Sequence, residues 1–437
     1  MKIFPCLFLA VIVFFTGFVP GSFDTTWAHE SSTFLEDSED NIEFNLEDES
    51  EEDDKDIDSE KDQEKENENE ILEEERSMGF ESPVLLLGEP SSGAILLERE
   101  IDKEVYPASI TKIMTLLLAM ESLERDMASL DDEVVISKNA EGVEGTTLFL
   151  EKGKKITLKD LLIGVAVGSA NDASVAVAEH ISGSVSGFVE KMNQRAKELG
   201  MENTNFTNPH GLHHEDHYTT ARDIYTMSLE LLKYQQVLEW FQIWLDENYL
   251  EGQIGEDGVY LSNTNRLINW YPGCDGLKTG FTDEAKHGIS ATAFRNGQRF
   301  VAIVLEGETS EKRFDEAAEL LDFGFSSYET KNIFDRGEKV EEIEVNKGKV
   351  PNVGLVTADE LAFVYERGED PPLEPEIELE KDILQAPVEE GEVVGRVTVK
   401  YKDKIEKTDL VADEEVLEAG IRDYFGRMLE TWVRFGT

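Results

Sequence analysis

The sequence predicts an α+β domain on an antiparallel sheet, then a small all-β, sandwich-like domain and a C-terminal amphipathic helix. Three observations carry this. From about residue 82 to 330, helical periods mix irregularly with strands joined by turns, and no solenoid-type repeat relates them. Beyond about Phe334 the helical period vanishes and short alternating strands follow one another between turns. In the last stretch Ile421, Phe425, Met428, Leu429 and Trp432 recur at three and four residues, giving one apolar face.

The elements follow in order. Lys2, an apolar run from Ile3 to about Val19, and small residues at Thr26 and Ala28 read as a signal peptide over 1–28, so an exported, extracytoplasmic protein is expected. Its removal takes Cys6 and leaves Cys274 without an intramolecular partner. Residues 29–77 read as a disordered acidic spacer: about half of 31–76 is Asp or Glu, which repels itself and buries nothing. Residues 78–330 form the α+β domain. It opens with VLLL and AILLE as strands around GEPSSG. A helix is expected from Ser109, a short strand at VVISK, and a helix pair broken at Gly168–Asn171. Further helices are expected at VSGFVEKMNQRAKELGM and ARDIYTMSLELLKY, strands at GLKTGFT, GISATAF and RFVAIVLEG, and a helix around FDEAAELLDFGF. Residues 331–412 are the all-β domain. In 413–437, Phe425, Trp432 and Phe435 suit a lipid–water interface and Arg422, Arg427 and Arg434 suit anionic headgroups, a possible peripheral anchor. The run is too interrupted to span a bilayer. The net charge of −53 excludes nucleic acid as a partner.

Three short stretches carry chemistry. In ASITKIMT, Ser109 and Lys112 are three residues apart, which stacks their Cβ atoms roughly 5–6 Å apart on one helix face. A lysine sunk beside a serine has the makings of an activating base. In GSANDAS, Ser169 and Asn171 sit where two apolar helical runs break. Ser137-Lys138-Asn139 has the same pattern but trails into a charged stretch and is set aside. In DGLKTGFT, Lys278 and Thr279 offer a cation and a hydroxyl on a strand, beside Gly280, where another backbone or a ligand can come close.

S-x-x-K, S-x-N about 60 residues on, and K-T-G about 110 further is the signature set of penicillin-recognising serine acyl-transferases. With YPASITKIMT, SANDAS, NPHGL and DGLKTGFT, and with APVEEGEVVG in the β domain, the chain resembles the low-molecular-mass penicillin-binding proteins that are serine-type D-alanyl-D-alanine carboxypeptidases, over roughly residues 80–435. The resemblance implies a β-lactamase/transpeptidase-like catalytic domain acting on peptidoglycan stem peptides that end in D-Ala-D-Ala. It also implies β-lactams as covalent inhibitors and the outer face of the cytoplasmic membrane as a contact of the C-terminal helix. Ser109 would be the acylated nucleophile and Lys112 its base. Ser169 would relay a proton to the leaving D-alanine, and Asn171 would hold the substrate amide and Lys112. Lys278, Thr279, Gly280 and Phe281 would bind substrate, with Arg313 serving its carboxylate and the N–H groups of Ser109 and Phe281 forming the oxyanion hole. No metal or cofactor is implied, although His210, His213, His214 and His217 cluster in PHGLHHEDHY. The alternative is a serine β-lactamase. Glu202 is present for it, but the usual Glu-x-x-Leu-Asn pattern is absent and a β-rich C-terminal domain is foreign to it. A catalytically silent scaffold is the remaining rival.

Overall fold

A computed structural model describes residues 79–254 and 258–425. The expected signal peptide, the acidic spacer and the greater part of the C-terminal helix lie outside these residues.

Two strands, β1 (Val84–Glu89) and β2 (Ala94–Arg99), form the predicted hairpin. The chain then reaches a 3-10 turn at Ala108–Thr111, which runs into helix α1 (Lys112–Glu124). Strand β3 (Glu133–Val135) is followed by the four-residue helix α2 (Lys138–Glu141) and by β4 (Lys155–Thr157), which pairs with β3. Helices α3 (Leu158–Ala166), α4 (Asn171–Ser182), α5 (Val185–Glu198) and α6 (Ala221–Leu232) fall where helices are predicted. Sequence periodicity missed the next three elements: α7 (Gln235–Phe241) and a hairpin of β5 (Leu245–Tyr249) with β6 (Val259–Ser262). They are short, and β5 is largely exposed, so no period stands out. After α8 (Leu267–Trp270) come β7 (Cys274–Thr282), β8 (Lys286–Arg295), β9 (Gln298–Gly307) and the long helix α9 (Ser310–Ser327).

The five long strands form one antiparallel sheet in the order β2-β1-β9-β8-β7. Both faces are covered. Val84, Leu86, Val301, Ile303 and Leu305 enter a core shared with α1 and the other helices of one layer. Leu85, Leu87, Phe300, Ala302 and Val304 point the other way, onto Phe314, Ala317, Leu320 and Leu321 of α9. Period-two alternation therefore divides the same strands between two apolar cores, which is why β1 and β9 read as nearly unbroken hydrophobic runs.

The turn at Ser109 departs from the expected α-helix. Ala108 has φ 47°, and the chain closes a tighter turn with Ile110 N–H donating to Pro107 O at 3.1 Å. Side chains at i and i+3 eclipse in a 3-10 turn, so Ser109 and Lys112 are stacked more directly than an α-helix would stack them.

From Tyr328 the chain is all β. Strand β10 (Tyr328–Phe334) pairs with β13 (Leu361–Glu366). Strands β11 (Lys339–Asn346), β12 (Asn352–Thr357), β14 (Glu376–Leu379), β15 (Ile383–Gln385), β16 (Val393–Tyr401) and β17 (Lys404–Ala412) build a six-stranded sheet ordered β14-β16-β17-β12-β11-β15. Leu361 and Phe363 from the two-stranded layer pack onto Val397, Val399 and Leu410 of the larger one, a sandwich-like core. Residues 421–425 are helical, with Ile421, Tyr424 and Phe425 exposed.

Candidate active site

The site assembles where the Ser109 turn meets the inner edge strand β7. Gly280 makes this contact possible. A Cβ there would sit 2.8 Å from Pro107 O and 3.2 Å from Ala108 Cβ, too close for any side chain. The sequence reading of Gly280 as a point of close approach is thereby explained by a backbone neighbour.

Lys112 lies at the centre, with no solvent exposure. Its ammonium group reaches three acceptors: Ser109 Oγ at 2.9 Å, Asn171 Oδ1 at 2.7 Å and the carbonyl of His210 at 2.7 Å. Those are all the donors a lysine has. Burial is the main force that holds its pKa well below the ordinary value, and the nearby charge of Lys278 adds to it; Asp172 opposes both. Once neutral, the amine keeps two N–H groups for Asn171 Oδ1 and His210 O and turns its lone pair to the partly exposed Ser109 hydroxyl, whose proton it can accept.

Asn171 opens α4, and its side chain bridges Lys112 and the segment at Glu144. Oδ1 accepts from Lys112 while Nδ2 donates to Glu144 O at 2.7 Å. Its backbone N–H also donates to Thr146 O at 2.7 Å. The adjacent Asp172 is buried and accepts from Leu148 N at 2.9 Å and Leu150 N at 3.0 Å. Together they bind the 144–150 segment against the Ser-x-Asn break. Ser169 has φ 60°, a left-handed conformation that is uncommon for a residue with a Cβ. Among the described residues its hydroxyl has no hydrogen-bond partner. Strained backbone of this kind often accompanies functional positions.

Lys278 is also fully buried, and burial together with the charge of Arg313 lowers its pKa to about 7. Its Nζ lies 3.4 Å from Thr264 Oγ1, and Thr279 Oγ1 donates to the same Thr264 oxygen at 2.8 Å. Arg313, from α9, donates through Nη1 to Gly280 O at 2.8 Å and Gly288 O at 3.2 Å, so its guanidinium grips the strand that carries Lys278. Phe281 is half exposed and stacks on His287, centroids 4.3 Å apart.

Ser109, Lys112 and Asn171 are thus joined by direct hydrogen bonds. Gly280 abuts the serine turn, with Lys278, Thr279 and Phe281 on the same strand and Arg313 hydrogen-bonded to it. The rejected Ser137 does something else: its hydroxyl accepts from Asn139 N and Ala140 N and caps α2. Sequence reasoning missed Thr264, the His210 carbonyl, and the Glu144 and Thr146 carbonyls. Backbone acceptors leave no side-chain signature, and Thr264 sits in a loop with no motif. The histidines of PHGLHHEDHY diverge in role: His217 hydrogen-bonds Thr111, while His213 faces Glu284 at 4.0 Å. Among the described residues no group of three His, Cys, Asp or Glu side chains is arranged to hold a metal ion.

The family model described as D-alanyl-D-alanine carboxypeptidase matches residues 73–309, and that described as penicillin-binding protein 5, C-terminal domain, matches 328–418. The chain is 38% identical over 360 residues to D-alanyl-D-alanine carboxypeptidase DacF of Bacillus subtilis, covering 82% of this chain and 92% of that protein. Penicillin-binding protein 5 from Haemophilus influenzae is structurally similar, with TM-score 0.63 and 30% identity over 77% of this chain and 98% of that one. Penicillin-binding protein D2 from Listeria monocytogenes, solved in its ampicillin-bound form, gives TM-score 0.51 and 30% identity over 56% of this chain and 98% of that one.

Proposed function

The chain belongs to the D-alanyl-D-alanine carboxypeptidase family, and from that membership we propose that it removes the terminal D-alanine from peptidoglycan stem peptides through an acyl-enzyme on Ser109. It is a serine-type D-Ala-D-Ala carboxypeptidase. The observation that carries the assignment of roles is the fully buried Lys112, its Nζ 2.9 Å from Ser109 Oγ and its charge disfavoured.

The mechanism follows. Neutral Lys112 takes the hydroxyl proton as Ser109 Oγ attacks the carbonyl of the penultimate D-alanine. The backbone N–H groups of Ser109 and Phe281 receive the oxyanion; losing one such donor costs about 100- to 1000-fold in rate. Ser169 passes a proton to the departing amine, and the C–N bond breaks with free D-alanine as the product. Water then attacks the ester and returns Ser109 Oγ–H. Lys278 and Thr279 bind the terminal carboxylate. Arg313 supports that role through its bonds to Gly280 O and Gly288 O and through its own positive charge. β-Lactams acylate the same Ser109. No observation favours the β-lactamase alternative: Glu202 is exposed to solvent.

Release of D-alanine from a peptide ending in D-Ala-D-Ala tests the reading. The wild-type protein should release it, and Ser109→Ala should not; equal release by both would refute it. The protein acts outside the cytoplasm, held at the membrane surface by its C-terminal helix. Exposed Ile421, Tyr424 and Phe425 support that placement, and no helix among the described residues is long and apolar enough to cross a membrane. Deleting 413–437 should free the protein from vesicles of anionic phospholipid. Undiminished binding would rule the anchor out.

A further inference from the structure

The loop that follows α5 and precedes α6 grips the nucleophile helix at three consecutive points. Thr115 Oγ1 donates to Pro209 O at 2.6 Å, Lys112 Nζ to His210 O at 2.7 Å, and Thr111 Oγ1 lies 2.8 Å from His217 Nε2. The third contact has no part in the mechanism above. His217 is only 2% exposed. Its other ring nitrogen, Nδ1, faces Thr207 N at 3.2 Å and Thr207 Oγ1 at 3.1 Å. A backbone N–H can only donate, so Nδ1 is the acceptor. In a neutral imidazole the proton then lies on Nε2 and is donated to Thr111 Oγ1. Burial, aided by His214, His213 and Lys112, lowers the His217 pKa to about 4, which keeps this tautomer neutral. Phe206 packs edge-on against the ring at 5.7 Å and fixes its plane.

Thr111 is the last residue of the 3-10 turn that holds Ser109 and the residue immediately before Lys112. We propose that His217 is a positioning residue for acylation: by donating to Thr111 Oγ1 it fixes the Ser109 turn in register with Lys112 and with the loop whose His210 carbonyl holds that lysine. The inference rests on the Ser109 acyl-enzyme reading. A misplacement of about 1 Å at reacting groups can cost on the order of 100-fold, so loss of this donor should be visible in rate while the fold survives.

The test is the second-order rate of acylation by benzylpenicillin, with melting temperature measured in parallel. His217→Leu and Thr111→Val should each slow acylation roughly 10- to 100-fold. The double variant should be no slower than the slower single, because both remove one interaction. His217→Gln, which can still donate to Thr111, should recover most of the rate. The acidic limb of the pH–rate profile should stay in place in every folded variant. A general acid–base role for His217 would move it and overturn the positioning role. Thr111→Val acylating at the wild-type rate would also overturn it, as would multiplying effects in the double variant or a His217→Gln no better than His217→Leu. Thr111→Val leaves the imidazole in place and reads the same contact even where His217→Leu does not fold. A wild-type protein that benzylpenicillin fails to acylate would sink the Ser109 reading, and this inference with it; a wild-type protein that reacts separates the two.

Discussion

Two lysines, Lys112 and Lys278, are fully buried within reach of each other's charge, and at residue scale that arrangement trades stability for reactivity. Lys278 has its pKa lowered from 10.5 to about 7. Between those values the unfolded chain binds more protons than the folded one, so stability rises with pH across that window and the full cost is felt below about pH 7. Lys278→Met should therefore abolish activity and stabilise the fold by roughly 2–4 kcal/mol at pH 6, the gain shrinking towards pH 10. Thermal unfolding across pH measures it, and a variant less stable than wild type at pH 6 would contradict it. The kinetic consequence has a definite sign. A substrate carboxylate needs Lys278 charged, so kcat/KM, which reports the free enzyme, should fall as pH rises through about 7. On the acid side it should fall as Lys112 becomes protonated. Lys278→Arg keeps its charge and should carry the alkaline limb upward; an unmoved limb would assign it to another group.

At the scale of elements, the site depends on how closely β7 approaches the 3-10 turn and how firmly α4 holds the 144–150 segment. Gly280→Ala would put a methyl 2.8 Å from Pro107 O. It should reduce acylation by roughly 100-fold or more, with a modest change in melting temperature. Near-wild-type acylation would show that β7 has room to shift. Asp172 accepts three N–H donors: Leu148, Leu150 and its helical neighbour Ala173. Burial raises its carboxyl pKa, and those bonds offset only part of the rise. Asp172→Ala would orphan the donors, destabilise the protein by roughly 1–3 kcal/mol and open the 144–150 segment to protease; unchanged cleavage would contradict this. Much at this scale was readable in the sequence. Motif spacing singled out Ser109, Lys112 and Asn171, which hydrogen bonds join, because polarity interrupts an apolar pattern there; the roles expected of Ser169 and Lys278 remain proposals. The 3-10 geometry at Ala108 was not readable, since a single residue with positive φ leaves the helical period of the next turn intact. Nor were the partners of Lys112, which lie 59 and 98 residues away in the chain; one of them is a backbone carbonyl that any residue could supply.

Over the whole molecule, the α+β part and the β part meet at the end of α9 and again where Ser91 of the first hairpin hydrogen-bonds Glu360. Helix α9 leads directly into β10. Val364 of β13 packs into the core beneath α9, and Arg367 donates to Ser326 O at 3.1 Å and Phe325 O at 2.9 Å at that helix's end. No residue named in the mechanism comes from beyond Arg313. A chain ending at Ser327 should accordingly acylate within about threefold of the full chain and melt a few degrees lower. A hundredfold loss at unchanged stability would tie the β part to chemistry. Sequence periodicity places the change of architecture near Phe334; the helix ends at Ser327 and β10 already runs Tyr328–Phe334, a strand whose alternation is too weak to read because none of its residues is fully buried. The sheet order, with β15 joining β11 in parallel, was not legible, since alternating strands carry no record of their neighbours.

The central claim is that Lys112, buried and stripped of its usual charge, makes Ser109 a nucleophile that forms a stable acyl-enzyme. Intact mass of the protein over time with benzylpenicillin tests it most directly. The account predicts a single long-lived adduct of one penicillin, absent from Ser109→Ala and strongly slowed in Lys112→Ala. No adduct at all, or a rapid return to the unmodified mass while penicillin is consumed, would contradict it.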